Sequence, residues 1–409
     1  MKKDFLPILL GCDECAYGLT RMIYEEYKIK PLVLCSYELT HVMYSKLINL
    51  EIIEDFSNPE VFTDALLKVL HREKDNYEKL LVIPTIDYYT ELVVNNYDRF
   101  EGLIANKFVS RELFERSNTK DKFAELCKEY NVPHPRTMTI TCEERLAAAD
   151  KIPFDFPIVL KPDNSNAAEY FKSKFDKKKK VYYVFSKEEY LEIMRSMNTS
   201  TFKGNMVAQE YIPGGDDAMC EVCTYSDADG KLRAISLAQT VLEEYRPDRI
   251  GNSAAVITRY DEELYDLVKD FLEGIGYVGF TNIDMKRDPR DGRTVLFEIN
   301  PRMSRMGFYV RAAGYNIMKT FIDDVVYDHR EPCVYVKEKA LWRNVPISVL
   351  KKYIRKEPIR SEVLDLINKN KCEYVLECKD DLSLKRRILL FRIKRNWIKE
   401  FKKYFYERS

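Results

Sequence analysis

Three short apolar runs punctuate the first hundred residues: FLPILLG (5–11), KPLVLCS (30–36) and KLLVIPT (79–85). Each is too short for a membrane span and is bounded by turn-forming residues, the signature of a strand buried on both faces. Helix-like stretches separate them, Ala16 to Tyr27 and Pro59 to Lys74. Strand, helix, strand in this order predicts βα units around a parallel sheet. The chain has 409 residues, beyond the size of one usual core, and 45% hydrophobic residues can fill two or more.

The pattern changes after residue 110. Ser110 to Tyr130 reads as one helix, stopped by Pro133 and Pro135. Next come a strand FPIVLKP (156–162), a lysine-rich hairpin FDKKKKVYYVF, a helix from Ser186 to Ser196, and a strand MVAQEYI running into the turn PGGDD. CEVCTYS and AISLAQTVLEE form a hairpin across Asp-Ala-Asp-Gly, and a helix spans Asp261 to Ile275. GYVGFTNIDMKRDPRDGRTVLFEINPR then reads as two strands joined by an Asp, Pro and Gly turn. The segment after Asp328 reads as helical, and no repeat is present.

Composition narrows the function classes. The opening MKKDFLPILLGCDEC reads as a first strand, not a signal peptide, and no apolar run reaches the roughly 18 residues of a membrane span. Ten scattered cysteines lack the density of a disulfide framework and fit a reducing cytoplasm. Two Cys-x-x-Cys pairs, Cys12/Cys15 and Cys220/Cys223, are either a zinc site or buried structural thiols; a three-residue offset in a strand-like run favours the latter. His41, His71, His134 and His329 belong to no Ser/His/Asp or Cys/His pattern. Net charge is zero, yet Lys385 to Ser409 holds ten Lys and Arg against Glu400 and Glu407, so this end is +8. With cations confined to the tail and the body acidic, nucleic acid is not expected as a partner.

The chemistry-bearing residues sit in the second half. In FTNIDMK (280–286), Asn282, Asp284 and Lys286 share one strand face; in VLFEIN (295–300), Glu298 and Asn300 share another. A turn centred near Asp291 sets Asp284 across from Glu298. Two facing carboxylates repel unless a cation lies between them, and carboxylate plus amide oxygens suit Mg²⁺. A solvent-facing polar stripe is the alternative. Lys161 closes an apolar strand, where a solvated lysine has little reason to be, and Lys120 precedes it in SNTKDKF. Gln209-Glu210-Tyr211-Ile212 leads into Pro-Gly-Gly-Asp-Asp, and backbone groups at such a strand exit can meet an adenine edge.

Lysine, lysine, Gln-Glu-Tyr-Ile, Asp, then Glu-x-Asn-Pro-Arg, in this order over about 200 residues, resembles the ATP-grasp carboxylate–amine ligases. FLPILLGCDECAYGLTR, YSKLINLEII, GFTNIDMKRDPRDG, LFEINPR and KALWRNVP resemble the D-aspartate ligases among them, which act in peptidoglycan cross-bridge formation.

The resemblance implies a fold, α/β and α+β: a Rossmann-like pre-ATP-grasp domain at 1–112, an ATP-grasp domain of two α+β subdomains at 113–328, and a helical, basic C-terminal extension at 329–409. It implies ATP and Mg²⁺, with Mn²⁺ as a substitute. Lys120, Lys161 and Lys286 would meet the nucleotide; Gln209, Glu210, Tyr211 and Ile212 the adenine; Asp217, or Asp216 beside it, the ribose. Asp284, Glu298 and Asn300 would bind metal, and Arg302, Lys161 and Arg305 would act in catalysis. The partners implied are an amino acid and a peptidoglycan precursor, and the place the cytoplasm, at the inner face of the membrane.

Two departures stand out. The family reads Asn-Leu-Arg-Gln-Gly-Arg where this chain has Asn300-Pro-Arg-Met-Ser-Arg305, which leaves the amino acid open. The loop after Lys161 lacks a glycine-rich run, so Asn164, Ser165 and Asn166 are expected to supply donors, with Lys178 to Lys180 adding charge or lying in solvent. In the tail, Leu390, Ile393, Trp397, Phe401 and Tyr404 fall near helical spacing among cations. Such a helix either makes peripheral contact with an anionic membrane or packs on the protein.

Overall fold

A computed structural model describes residues 2–163, 167–179, 181–247 and 249–406. Asn164, Ser165, Asn166 and Lys180, named above, lie outside the described residues. The chain divides into two compact units. Unit 1 comprises Met1–Arg111, Gly215–Asn282 and Asn300–Ser409; unit 2 comprises Glu112–Gly214 and Ile283–Ile299.

Unit 1 begins with strands β1 (Lys3–Leu10), β2 (Leu32–Cys35), β3 (Asn49–Ile52) and β4 (Tyr77–Pro84), parallel in the order β3-β2-β1-β4. The three apolar runs are therefore three adjacent strands of this sheet, β2, β1 and β4. Alternate side chains of β1 enter opposite cores. Phe5 and Leu9 meet the helix Glu14–Tyr27, while Leu6, Ile8 and Leu10 meet Phe62 and Leu66 of the helix Pro59–Glu73. Gly11 ends β1 at φ +110°, and a Cβ there would lie 2.3 Å from Thr85 Oγ1, so only glycine makes this turn. The turn delivers Asp13, which caps the first helix by accepting from the Ala16 amide at 3.0 Å, and Glu14.

Unit 2 carries β5 (Thr137–Ile140), β6 (Ile158–Pro162), β7 (Tyr182–Val184) and β8 (Met206–Glu210), in the order β5-β8-β6-β7 with antiparallel neighbours. The helix Lys187–Asn198, capped by Ser186, buries Tyr190, Met194 and Met197 in the same core as Ile158, Leu160, Met206 and Ala208. The lysine run forms no hairpin among the described residues: β7 pairs with β6 instead. The predicted helix over 110–130 is two, Arg111–Asn118 and Lys120–Glu129, broken at Thr119 with φ −98° and ψ 136°. Ser117, Asn118 and Thr119 all prefer caps to helix interiors, which explains the break. Lys120 thereby becomes the first residue of a helix.

The largest sheet holds β9 (Met219–Ser226), β10 (Leu232–Glu243), β11 (Ser253–Arg259), β12 (Gly279–Arg287), β13 (Thr294–Asn300), β14 (Val334–Tyr335), β15 (Leu341–Arg343) and β16 (Cys372–Tyr374). Its order is β13-β12-β9-β10-β11-β15-β16, with β14 beside β10. The sequence carries no strand expectation for β11 and predicts helices alone after Asp328. The segment has those helices and three short strands besides, of two or three residues each, below what periodicity can register.

The last of these helices, Leu384–Tyr404, packs Leu390, Trp397 and Phe401 into the cores of unit 1, with Ile393 and Tyr404 alongside. Fully buried Arg386 pins it. Its guanidinium meets Asp381 at 3.0 Å and donates to the carbonyls of Met43 and His41. Asp381 also accepts from Tyr17 and Ser45, each at 2.8 Å. The tail stripe is thus a packing face. Cys12, Cys15 and Cys223 are buried thiols in the core of unit 1, and Cys220 is half-buried on β9.

Candidate active site

Unit 2 gathers most of the expected residues, Lys120, Lys161, Asp284 and Glu298 among them. Lys120, buried at its helix start, donates to Glu298 Oε2 at 2.6 Å. Asp284 adjoins Glu298 closely enough for a side-chain hydrogen bond. Lys161 donates to Gln209 Oε1 at 3.0 Å, and Gln209 Nε2 to Thr137 Oγ1 at 3.3 Å. Two carboxylates and two lysine amines therefore lie together in one cluster of side chains.

Electrostatics ranks these groups. The Lys120 charge holds the Glu298 carboxyl far below the usual carboxylate range, with Lys161 adding to it. Lys161 is pulled down to about 7, first by burial and then by repulsion from Lys120, against the attraction of Glu298 and Asp284. A lysine poised near neutrality in such a setting gains its proton when a polyanion arrives.

The donor set fits a hard divalent cation only in part by itself. Among the described residues no cluster of three or more His, Cys, Asp or Glu side chains is placed to hold a metal. Asp284 and Glu298 are two carboxylates, and Asn300 lies two residues along β13 on the same strand face as Glu298, with an amide oxygen in place of a third charge. So sparse a set is what Mg²⁺ uses when water and nucleotide phosphates complete its shell.

The neighbouring strand exit is also built. The Glu210 amide donates to Arg136 O at 2.8 Å, so its N–H is committed, and its carboxylate lies between Arg136 at 3.1 Å and Arg290 at 3.2 Å. Tyr211 stands edge-on to Tyr183, with Lys286 Nζ over its ring at 5.6 Å, and Ile212 is buried.

The other predicted residues lie in unit 1. Asp217 is bridged by Lys356, and its carbonyl accepts from Gln239 at 2.6 Å. Asn300 donates to the Asn282 carbonyl at 3.3 Å. Arg302 pairs with Asp87 at 2.9 Å. Arg305 reaches Glu244 at 2.7 Å, Glu14 at 3.5 Å and the Ser253 carbonyl at 2.9 Å. Asn344 donates to the same Glu14 carboxylate, and Arg249 meets Glu244 at 3.4 Å.

Burial raises the Glu14 carboxyl to about 7, opposed by Arg305 and reinforced by Glu244. Burial likewise opposes the charge on Arg305, but Glu14 and Glu244 outweigh it and hold its pKa above the ordinary value. Glu14 and Glu244 were missed in the sequence. The usable signal was position, because Glu14 follows the C-terminal end of a central parallel strand, where α/β folds place ligand-binding groups. Glu244 lies in the charge-dense LEEYRPDR and had no such signal.

No family model matches the chain. It is 34% identical over 415 residues to the D-aspartate ligase of Enterococcus faecium (strain Aus0004), spanning 99% of this chain and 97% of that protein. A D-alanine–D-alanine ligase of Wolbachia pipientis wMel is 31% identical over 109 residues, 27% of this chain and 26% of that protein. Among solved structures, N5-carboxyaminoimidazole synthetase from Staphylococcus aureus complexed with ADP superposes with a TM-score of 0.60 at 13% identity, over 83% of this chain and 82% of that one. An L-amino acid ligase from Bacillus licheniformis gives 0.56 at 14%, over 80% and 75%. These two likenesses carry the fold, ATP-grasp, and the first relative carries the family. With its paired lysines and carboxylates in one unit and the match running end to end, the chain belongs to the D-aspartate ligase family of ATP-dependent carboxylate–amine ligases.

Proposed function

We propose that this ligase activates the β-carboxylate of D-aspartate as an acylphosphate and joins it to the side-chain amine of the lysine in a peptidoglycan precursor, in the cytoplasm, releasing ADP and phosphate. The observation that carries the reading is the Lys120, Glu298, Asp284 and Lys161 group, together with the end-to-end likeness to a D-aspartate ligase. In this reading residues 1–112 form the pre-ATP-grasp domain, 113–328 the ATP-grasp domain and 329–409 a basic extension.

Each residue then has a task. Lys120 and Lys161 hold nucleotide phosphates, and Lys161 takes up a proton as it does so. Gln209, Glu210, Tyr211 and Ile212 frame the adenine, with Lys286 at its edge and Asp217 toward the ribose. Asp284, Glu298 and Asn300 hold Mg²⁺, for which Mn²⁺ substitutes, and the metal neutralises phosphate charge when bound. Arg302 stabilises the charge on the transferred phosphoryl group. Arg305, set between Glu14 and Glu244, offers a cation beside carboxylates, an arrangement suited to the two charged ends of an amino acid.

Hydroxylamine added to the chain with Mg-ATP and D-aspartate, and no acceptor, tests the chemistry. Aspartyl hydroxamate with stoichiometric ADP supports an acylphosphate, and ADP release without hydroxamate would remove it.

A further inference from the structure

The helix Leu384–Tyr404 has a second face that its packing leaves in solvent. Leu384, Ile388, Phe391 and Ile398 are 75%, 48%, 61% and 45% exposed, and with Arg395 and Lys402 they follow a spacing of four and three that keeps them on one stripe. Lys385, Arg392, Lys399 and Lys403 run along one edge of the stripe, and Arg387 lies on the other. All these cations are exposed, and among the described residues none has an ion-pair partner. Lys394, by contrast, is tied to Glu377. The one acid of the helix, Glu400, is turned away, bonded to Arg246. At the helix start Lys385 lies over the ring of Tyr44, itself 49% exposed.

We propose that this outer face docks unit 1 on an anionic lipid bilayer. A surface of this kind asks for apolar side chains that enter the acyl boundary and cations that stay among the headgroups, and the helix presents both on one side. Tyr44 adds an aromatic ring of the type found at that depth. Nucleic acid would use the cations but gains nothing from an apolar stripe. A second copy of the chain would set this stripe, with Arg395, Lys402 and the cations along its edges, against the same set of cations, a like-charge arrangement that opposes pairing. The opposite face of the helix is in the core, so docking needs no unfolding.

The inference stands apart from the substrate reading, and its test needs no turnover. The full chain is sedimented with vesicles rich in phosphatidylglycerol and with vesicles of phosphatidylcholine alone, in low and high salt. The expected result is about tenfold or stronger partition to the anionic vesicles, weakened by salt. A double variant, Phe391→Glu with Ile398→Glu, and a charge variant, Lys385→Glu, Arg392→Glu and Lys399→Glu, should each fall to the phosphatidylcholine level while melting temperature and far-UV circular dichroism stay as in the parent. Equal binding to both vesicle types overturns the proposal. So does full binding by the folded Phe391/Ile398 variant, which would mean generic attraction to a basic tail, and so does a parent dimer that this variant dissolves, which would assign the face to a second copy.

Discussion

Lys120 and Glu298 stand 178 positions apart in the chain and meet at 2.6 Å inside one compact unit, the lysine buried at the start of a helix and the glutamate on a strand face. Neither a helix start nor a strand of that composition needs such a pair for its own stability. An ion pair with one partner buried adds little stability relative to apolar packing, so the fold alone does not call for it.

Glu298→Gln keeps the shape and removes the charge. Turnover should fall by about 10²- to 10³-fold, with little change in melting temperature. Steady-state ADP release and a thermal melt decide it, and full activity would remove Glu298 from the metal set.

Lys161 predicts a direction with pH. The free protein holds it down to about 7, and bound phosphates raise it again, so nucleotide binding above pH 7 takes up a proton. Affinity for ATP should therefore weaken as pH rises from about 7 toward 9, and Lys161→Arg should flatten the dependence. Calorimetric titration in buffers of different ionisation enthalpy measures the proton directly. The same burial acts on stability with the opposite sense. The unfolded lysine keeps its proton to about 10.4, so the cost of burying the charge is fully present below pH 7 and is relieved between about 7 and 10.

The two arginines should separate. Arg305 faces Glu244, which is wholly buried, and Glu14, whose Oε1 has no hydrogen-bond partner among the described residues; Arg302 faces half-exposed Asp87. Arg305→Met strands buried charge and should cost about 3–5 kcal/mol of stability. Arg302→Met should cost under about 1 kcal/mol and act on turnover alone. Urea unfolding of both variants beside their activities distinguishes them.

Much of this was legible in the residues, and the reason is periodicity. Buried strands of parallel sheets are continuous apolar runs, and β1, β2 and β4 could be read as such. Asp284 and Glu298 were legible because charged groups on otherwise apolar strands violate the pattern that buries them. What stayed hidden depends on distance in space. Lys120 looked mid-helix, and only the chain's break at Thr119 sets it at a helix start facing Glu298. Glu14 and Glu244 acquire their meaning from Arg305, nearly 300 and about 60 positions away, a relation no local window contains. The outer stripe of the last helix was masked by its inner one, since both recur at helical spacing.

Asp381 offers a structural control outside the site. It joins Arg386 of the last helix to Tyr17 and Ser45 with no exposed surface on either partner of the ion pair. Asp381→Ala should lower stability by about 3–5 kcal/mol, while ATP affinity of the protein that remains folded is unchanged. A loss of affinity at full folding would couple the last helix to nucleotide binding.

The most direct test gives the chain Mg-ATP, a lysine-containing UDP-MurNAc-pentapeptide and a panel of D- and L-amino acids, recording ADP, phosphate and the mass of the peptide product. The account predicts ADP and phosphate in equal amounts and an aspartyl adduct with D-aspartate alone. An adduct with another amino acid, or none from D-aspartate while ATP still binds, would contradict it.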